Sequence, residues 1–350
     1  MVKHQKSLPI NFVKELIVLA LINVILFSQS NLFSKEKLVN KKPSPSLQGS
    51  KDIQLHKVNE DYSLSFEKPK FWDFITLTPT TFKNFYKEST TPEGLKGLAW
   101  ITAWTALLYY YDRELLNGAQ LIGRKAGLGN DDHTRSMIKI GKLNVFRGPT
   151  DIGSSMYFIG DGWTHMAITF SYILYGSYAK NYRALSTGSN LLHGIFFSTI
   201  LNQFLKRTTG RESPYRATNK RGKWRFFPNQ NKYNTDISKY DAFPSGHLAT
   251  SAVTLTVLLE NYPEHRYWLL PVGTGLLTLL SYQMMNNGVH WASDYPLALG
   301  MGYLIGKISA NYGKKVIKTH GKNQGFWDNI EVKPIFSRRG TIGLHLNKTF

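Results

Sequence analysis

Pro244-Ser245-Gly246-His247 follows a polar, basic loop and opens the apolar run Leu248 to Leu259. Such a junction reads as the N-terminus of a helix entering a core. The N–H groups of a first helical turn have no partner inside the helix, and the helix dipole is positive there. Ser245 adds a hydroxyl, Gly246 lets a ligand come close to the backbone, and His247 adds a proton donor. Together they can hold a phosphate-like anion and protonate whatever leaves it. Taken alone, the tetrapeptide reads equally well as a helix cap followed by a surface histidine.

Two further clusters bear on that choice. His290 and Asp294 are four apart, and Ser293 and Pro296 put a helix start near 293 with His290 in the preceding loop. Asp294 can then hold one imidazole nitrogen, fixing the tautomer and raising the basicity of the other, which makes His290 a nucleophile. The plainer reading is a capping Asp beside a surface His. Lys206 closes an apolar helix, where a cation suits the C-terminal dipole. It could equally aim its charge at phosphoryl oxygens.

Elements able to position these residues are legible along the chain. Met1 to Lys6 is basic, and Leu16 to Phe27 is a twelve-residue apolar run followed by Ser28 and Ser30. This matches a secretory signal peptide, with an uncleaved anchor as the alternative, so residues 1–30 predict export to the cell envelope or periplasm. Residues 31–70 read as a polar linker. The folded unit is predicted over 71–313, with helices at Glu93–Leu116, His133–Leu143 (short and amphipathic), Thr164–Tyr178, Gly188–Leu205, the run opened by PSGH, Arg266–Met285 and Tyr295–Ala310. The expected class is all-α, a bundle of about six core helices. In the tail, 314–350, Trp327–Phe336 and Thr341–Phe350 alternate polar and apolar residues around Arg338-Arg339-Gly340 and predict a short β-hairpin appendage. The apolar runs are short for spanning helices, and the mean hydropathy is −0.27. A domain at a membrane surface is therefore expected, and the runs at 97–111 and 267–285 are the nearest to intramembrane length.

Composition narrows the chemistry. The 350 residues contain no cysteine, which excludes disulfides and thiolate metal sites. A formal charge of +20 suits anionic lipid, nucleic acid or phosphorylated substrates. From Lys206 to Lys232 there are nine basic residues against one acidic, Glu212, with Tyr215, Trp224, Phe226 and Phe227 interleaved. No nucleic-acid motif accompanies them, so the expected partners are a phosphorylated lipid or other phosphomonoester and an anionic membrane surface. His165 and His193 lie in apolar helices and read as core or helix–helix contacts. Asp131, Asp132 and His133 read as a turn leading to a cap, and Asn347-Lys348-Thr349 is an unsupported sequon.

The order Lys206…Gly210-Arg211-x-x-Pro214, then PSGH, then His290-x-x-x-Asp294 resembles the type 2 phosphatidic acid phosphatase and vanadium haloperoxidase superfamily. The resemblance spans roughly residues 95–312. It implies an α-helical bundle in which Lys206, Ser245 and Gly246 bind phosphate. His247 would be the general acid, His290 the nucleophile that forms a phosphohistidine, and Asp294 its orienting partner, with no metal or other cofactor. The family pattern K-x6-R-P places Ser213 where an Arg belongs, and S-R-x5-H-x3-D places Gln283 and Met284 where Ser-Arg belongs. Each Arg would clamp the transition state through two charge-assisted hydrogen bonds. Arg207, Arg211 and Arg216 are the nearby candidates to compensate, with Arg211 expected at the phosphate, and Asn286 and Asn287 could offer neutral donors. The implied activity is hydrolysis of a phosphomonoester, with a lipid-linked substrate expected. The alternative is a catalytically impaired protein of the same fold that binds a phosphorylated lipid or glycan, and a vanadate-dependent haloperoxidase is a third reading.

Overall fold

The computed structural model describes residues 52–141, 143–318, 330–336 and 342–348. The predicted export segment and the first part of the linker lie outside the described residues. In chain order the elements are β1 Ile53–Lys57, β2 Tyr62–Glu67, α1 Asp73–Thr76, α2 Thr78–Ser89, α3 Pro92–Ala126, β3 Thr134–Ile140, β4 Leu143–Pro149, α4 Ile152–Phe158, α5 Gly162–Tyr178, α6 Tyr182–Thr209, α7 Gln230–Thr235, α8 Gly246–Asn261, α9 Arg266–Asn286, α10 Tyr295–Ala310, β5 Lys314–Lys318, β6 Ile330–Phe336 and β7 Ile342–Lys348.

Six of these helices (α3, α5, α6, α8, α9 and α10) have sixteen residues or more and correspond to the six long helices expected. Their ends follow local chemistry. Thr91 caps α3 by accepting from Gly94 N, and Gly127 ends it at φ +69°. Asp161 and Asn181 cap α5 and α6 in the same way. Gly210, at φ +56°, ends α6 four residues after Lys206, in a conformation that favours glycine.

The core is a cluster of buried apolar side chains from α3, α6, α8, α9 and α10. Within it, α8 and α10 come unusually close. A Cβ on Gly302 would lie 2.4 Å from the carbonyl oxygen of Ala249, and one on Gly306 2.7 Å from Thr256 Cβ. That approach matters for the site, because α8 begins at the PSGH turn and α10 begins at Asp294.

Three expectations are corrected. The stretch 133–143 is not a helix: β3 and β4 form an antiparallel hairpin, with Gly141 at φ +60° in the turn. Ile138, Ile140 and Val145 are β-branched, and their local alternation outweighs the weak helical period. The polar stretch 31–70 contains β1 and β2, and Leu64, Ser65 and Phe66 of β2 are all buried. Strand β5 then pairs with β2, so residues 314–318 complete a sheet of order β1-β2-β5 and belong to the folded unit rather than to a tail. The C-terminal hairpin is present, with Ile330 opposite Lys348.

Candidate active site

The close approach of α8 and α10 brings together residues 40 to 90 positions apart. Ser245 is the N-cap of α8, its hydroxyl accepting from Leu248 N at 3.5 Å. Gly246 is the first helical residue. A Cβ built there would meet Asn202 Oδ1 at 3.6 Å and Lys206 Nζ at 3.9 Å, so the C-terminal part of α6 lies against the start of α8. Lys206 is buried and lies 3.5 Å from Asp241. The imidazoles of His247 and His290 face one another edge to face, 6.4 Å between centroids. Lys206, Ser245, Gly246, His247 and His290 thus converge as the motifs implied.

His290 is buried, and its tautomer is set by the backbone. Nδ1 lies 2.7 Å from the Ala242 carbonyl oxygen and 3.4 Å from Asp294 Oδ2. The shorter contact makes Nδ1–H a donor to Ala242 and leaves the Nε2 lone pair for attack. Asp294, the expected orienting partner, is the secondary contact. Its Oδ2 also accepts from Trp291 N at 2.8 Å, closing the turn that carries His290.

His247 is held neutral. Burial, and then the charges of His290, Lys206 and His165, lower its pKa to about 3. The Tyr157 ring on α4 lies 4.8 Å from it. Burial raises the Tyr157 hydroxyl well above its ordinary value, so it stays protonated.

The arginines are not where compensation was expected. Arg211, assigned to phosphate, is wholly buried. Its terminal nitrogens donate to Ser293 Oγ, Asp294 Oδ1, Asp112 Oδ2 and the Arg221 carbonyl. All four terminal N–H groups are therefore spent on protein, and Arg211 fixes Asp294 instead of meeting phosphate. Asp112, on α3, also accepts from Ser293 N and Ser293 Oγ. Burial pushes its carboxyl up, Arg211 pulls it down, and the upward effect prevails. Arg207 binds Gln230 and Asn234, and Arg216 binds Asp236. Asn286 Nδ2 donates to the Gly129 carbonyl, and Asn287 Oδ1 accepts from Gln283 Nε2. None of these side chains replaces the missing pair.

The two variant positions are buried. Ser213 is 2% exposed and opens the turn at Pro214. Met284 is fully buried, with Sδ 3.5 Å from Ser245 Oγ. Position 284 therefore does face the site, but it presents a thioether where an anion needs a donor.

Sequence reasoning missed Ala242, Tyr157, Asp112 and Asp241. Ala242 acts through its carbonyl, which leaves no side-chain signature. Tyr157 and Asp112 are distant in sequence, and Asp241, three residues before Pro244, belongs to no spacing pattern. Glu212 was legible only as the single acid in a basic stretch. It is buried and accepts from Thr218 N, Lys223 N and Arg225, so it organises the loop from within. His165 and His193 are helix–helix contacts as read: His165 bonds Ser251 and Thr254 on α8, and His193 bonds Thr81 on α2.

No curated protein and no solved structure matched in comparison with this chain. Residues 187–318 match the family model of the PAP2 superfamily. That segment runs from within α6 through β5 and contains Lys206, the PSGH turn, His290 and Asp294. With the helical bundle and the facing histidines, the match over this segment supports PAP2-like superfamily membership, with a phosphatase-type, haloperoxidase-like helical fold.

Proposed function

We propose that this protein hydrolyses a phosphomonoester through a phosphohistidine on His290. One observation carries the reading: Nδ1 of His290 is tied to a carbonyl while its ring faces His247 beside Lys206 and the α8 N-terminus. Lys206, the Ser245 hydroxyl and the first N–H groups of α8 would hold the phosphoryl oxygens. His290 Nε2 would attack phosphorus as the P–O ester bond breaks, and the leaving oxygen would take a proton from His247. Water would then attack the phosphohistidine, giving a proton to His247 and releasing phosphate from Nε2.

The low pKa of His247 adds a condition. Burial first, and then neighbours that are cationic or titratable to cations, keep it from holding an extra proton at neutral pH. A bound phosphate brings the counter-charge that lets His247 become imidazolium, and anion binding and proton uptake are thus coupled.

A lipid-linked substrate is supported by the surface. Trp163, Phe170, Leu174 and Tyr178 repeat along α5, and Trp268, Val272, Leu276 and Leu279 along α9, all exposed. Aromatic and aliphatic stripes on a basic protein suit an anionic membrane surface. Among the described residues no helix is long and apolar enough to cross a membrane. Export to the envelope or periplasm belongs to the same proposal and rests on residues 1–30.

The second reading is a phosphate-binding protein with impaired catalysis. Met284 beside Ser245, and the commitment of Arg207, Arg211 and Arg216 elsewhere, favour it. Losing one preorganised donor commonly costs about 3–4 kcal/mol in the transition state. The test is phosphate release from a panel of lipid and soluble phosphomonoesters, wild type against His290→Ala, with a search for an acid-labile phosphoenzyme. Faster release by the wild type establishes the enzyme. Equal background rates in a folded protein that still binds phosphate leave only the binding reading.

A further inference from the structure

We infer that the carboxamide of Asn202 is a further ligand of the phosphoryl group, a neutral donor in a pocket that lacks the family's two arginines. This inference rests on the anion-pocket reading above and extends it to a residue outside the motifs.

Three observations carry it. Asn202 stands four residues before Lys206 on α6, so both side chains leave the same helix face. Its carboxamide lies against Gly246, the first residue of α8: a Cβ there would sit 3.6 Å from Asn202 Oδ1 and 3.9 Å from both Asn202 Cγ and Lys206 Nζ. Asn202 is 4% exposed, yet its Nδ2 is buried without a hydrogen-bond partner. A buried, unpaired N–H destabilises a fold unless a ligand supplies the acceptor.

Other unpaired groups lie on α6. Asn190 Nδ2 and Ser198 Oγ also lack partners, but they are one or more turns farther from the pocket. Of the three, Asn202 is the one set against Gly246, where a Cβ would lie 3.6 Å from its Oδ1. As it stands the carboxamide sets its oxygen against Gly246; a half-turn about its terminal bond would bring the two N–H groups beside the Ser245 hydroxyl and the helix N–H groups around a tetrahedral oxyanion. They would do so without adding charge where Asp241 already partners Lys206. The class of ligand is a terminal phosphoryl group, either free phosphate or the end of a monoester.

The test titrates inorganic phosphate into the full chain by calorimetry and compares wild type, Asn202→Ala, Asn202→Asp and Ser198→Ala, with the melting temperature of each ligand-free protein. Asn202→Ala should weaken phosphate binding tenfold or more while leaving the ligand-free melting temperature unchanged or raised. Asn202→Asp, nearly isosteric, should bind weaker still, because a carboxylate repels the anion. Ser198→Ala should bind as wild type. If Asn202→Ala does not fold, Asn202→Asp decides. Wild-type binding retained within twofold in the folded Asn202 variants overturns the inference and spares the pocket. A wild type that binds no phosphate overturns the pocket and this inference together.

Discussion

Arg211→Met should be among the most damaging single changes in this protein, although Arg211 touches neither phosphate nor the reacting nitrogen. The guanidinium, Asp112 and Asp294 are all fully buried, with ion-pair distances of 2.6 Å to Asp112 and 2.5 Å to Asp294. Methionine fills much of the volume but leaves two carboxylates facing each other without a cation. Removing one partner of a buried ion pair costs about 3–5 kcal/mol. Both carboxylates lose the same cation, yet the second loss is softened because Asp112, already pushed up by burial, can take a proton. The expected total is therefore about 4 kcal/mol, not twice that. Asp112→Asn should cost less than Arg211→Met, since it removes the carboxylate whose ionisation burial opposes. The double variant should cost less than the sum of the two singles. The assay is urea denaturation at pH 7, followed by circular dichroism, at low and at 1 M salt. A loss below about 1 kcal/mol, or one that vanishes in 1 M salt as an exposed pair's would, refutes the reasoning.

Acid should loosen the bundle through His165, whose pKa burial lowers to about 4. The folded state keeps this ring neutral while the unfolded chain protonates it below about 6.5. Its contribution is full above that pH and falls as pH drops toward 4, by about 3 kcal/mol. His165→Gln should remove that part of the pH slope in denaturation curves, and an unchanged slope would show that another group carries it. Met284→Arg restores a cation beside Ser245, so it should tighten phosphate binding at least tenfold while overpacking costs about 1–3 kcal/mol; equal affinity in a folded variant would place the anion elsewhere. Paired with Ser213→Arg, it should raise turnover of phosphomonoesters. Gly302→Val should separate α8 from α10, because its Cβ would lie 2.4 Å from the Ala249 carbonyl oxygen. The expected cost is about 2 kcal/mol or more in thermal unfolding, and a loss within 0.5 kcal/mol would show that the contact relaxes freely.

The six long helices were legible because each is a local object: an apolar run, a cap such as Asp161 or Asn181, and a breaker such as Gly127 or Gly210. The strands at 53–67 and 134–149 were not: β2 is paired by β5, about 250 residues later, and the short local hairpin of β3 and β4 has a register broken near Ser136 and Ile138 that blurs its alternation. The site divides in the same way. Lys206, Ser245, Gly246, His247, His290 and Asp294 stood out by type and spacing. The absence of arginine at 213 and 284 was equally plain.

What each group does was a matter for tertiary structure. Arg211 lies five residues from Lys206, and its sequence position suggests a phosphate ligand. The fold instead encloses it between Asp112 of α3 and Asp294. His290 has an acid four residues on, yet a carbonyl 48 residues before it takes the shorter contact. Asn202 is an ordinary helix residue until α8 arrives at its face. The sequence determines which groups can titrate, donate or attack, because those are covalent properties of each side chain. Which of them meet, and whether a charge is spent on protein or left for a ligand, depends on packing between distant elements, which no local spacing records.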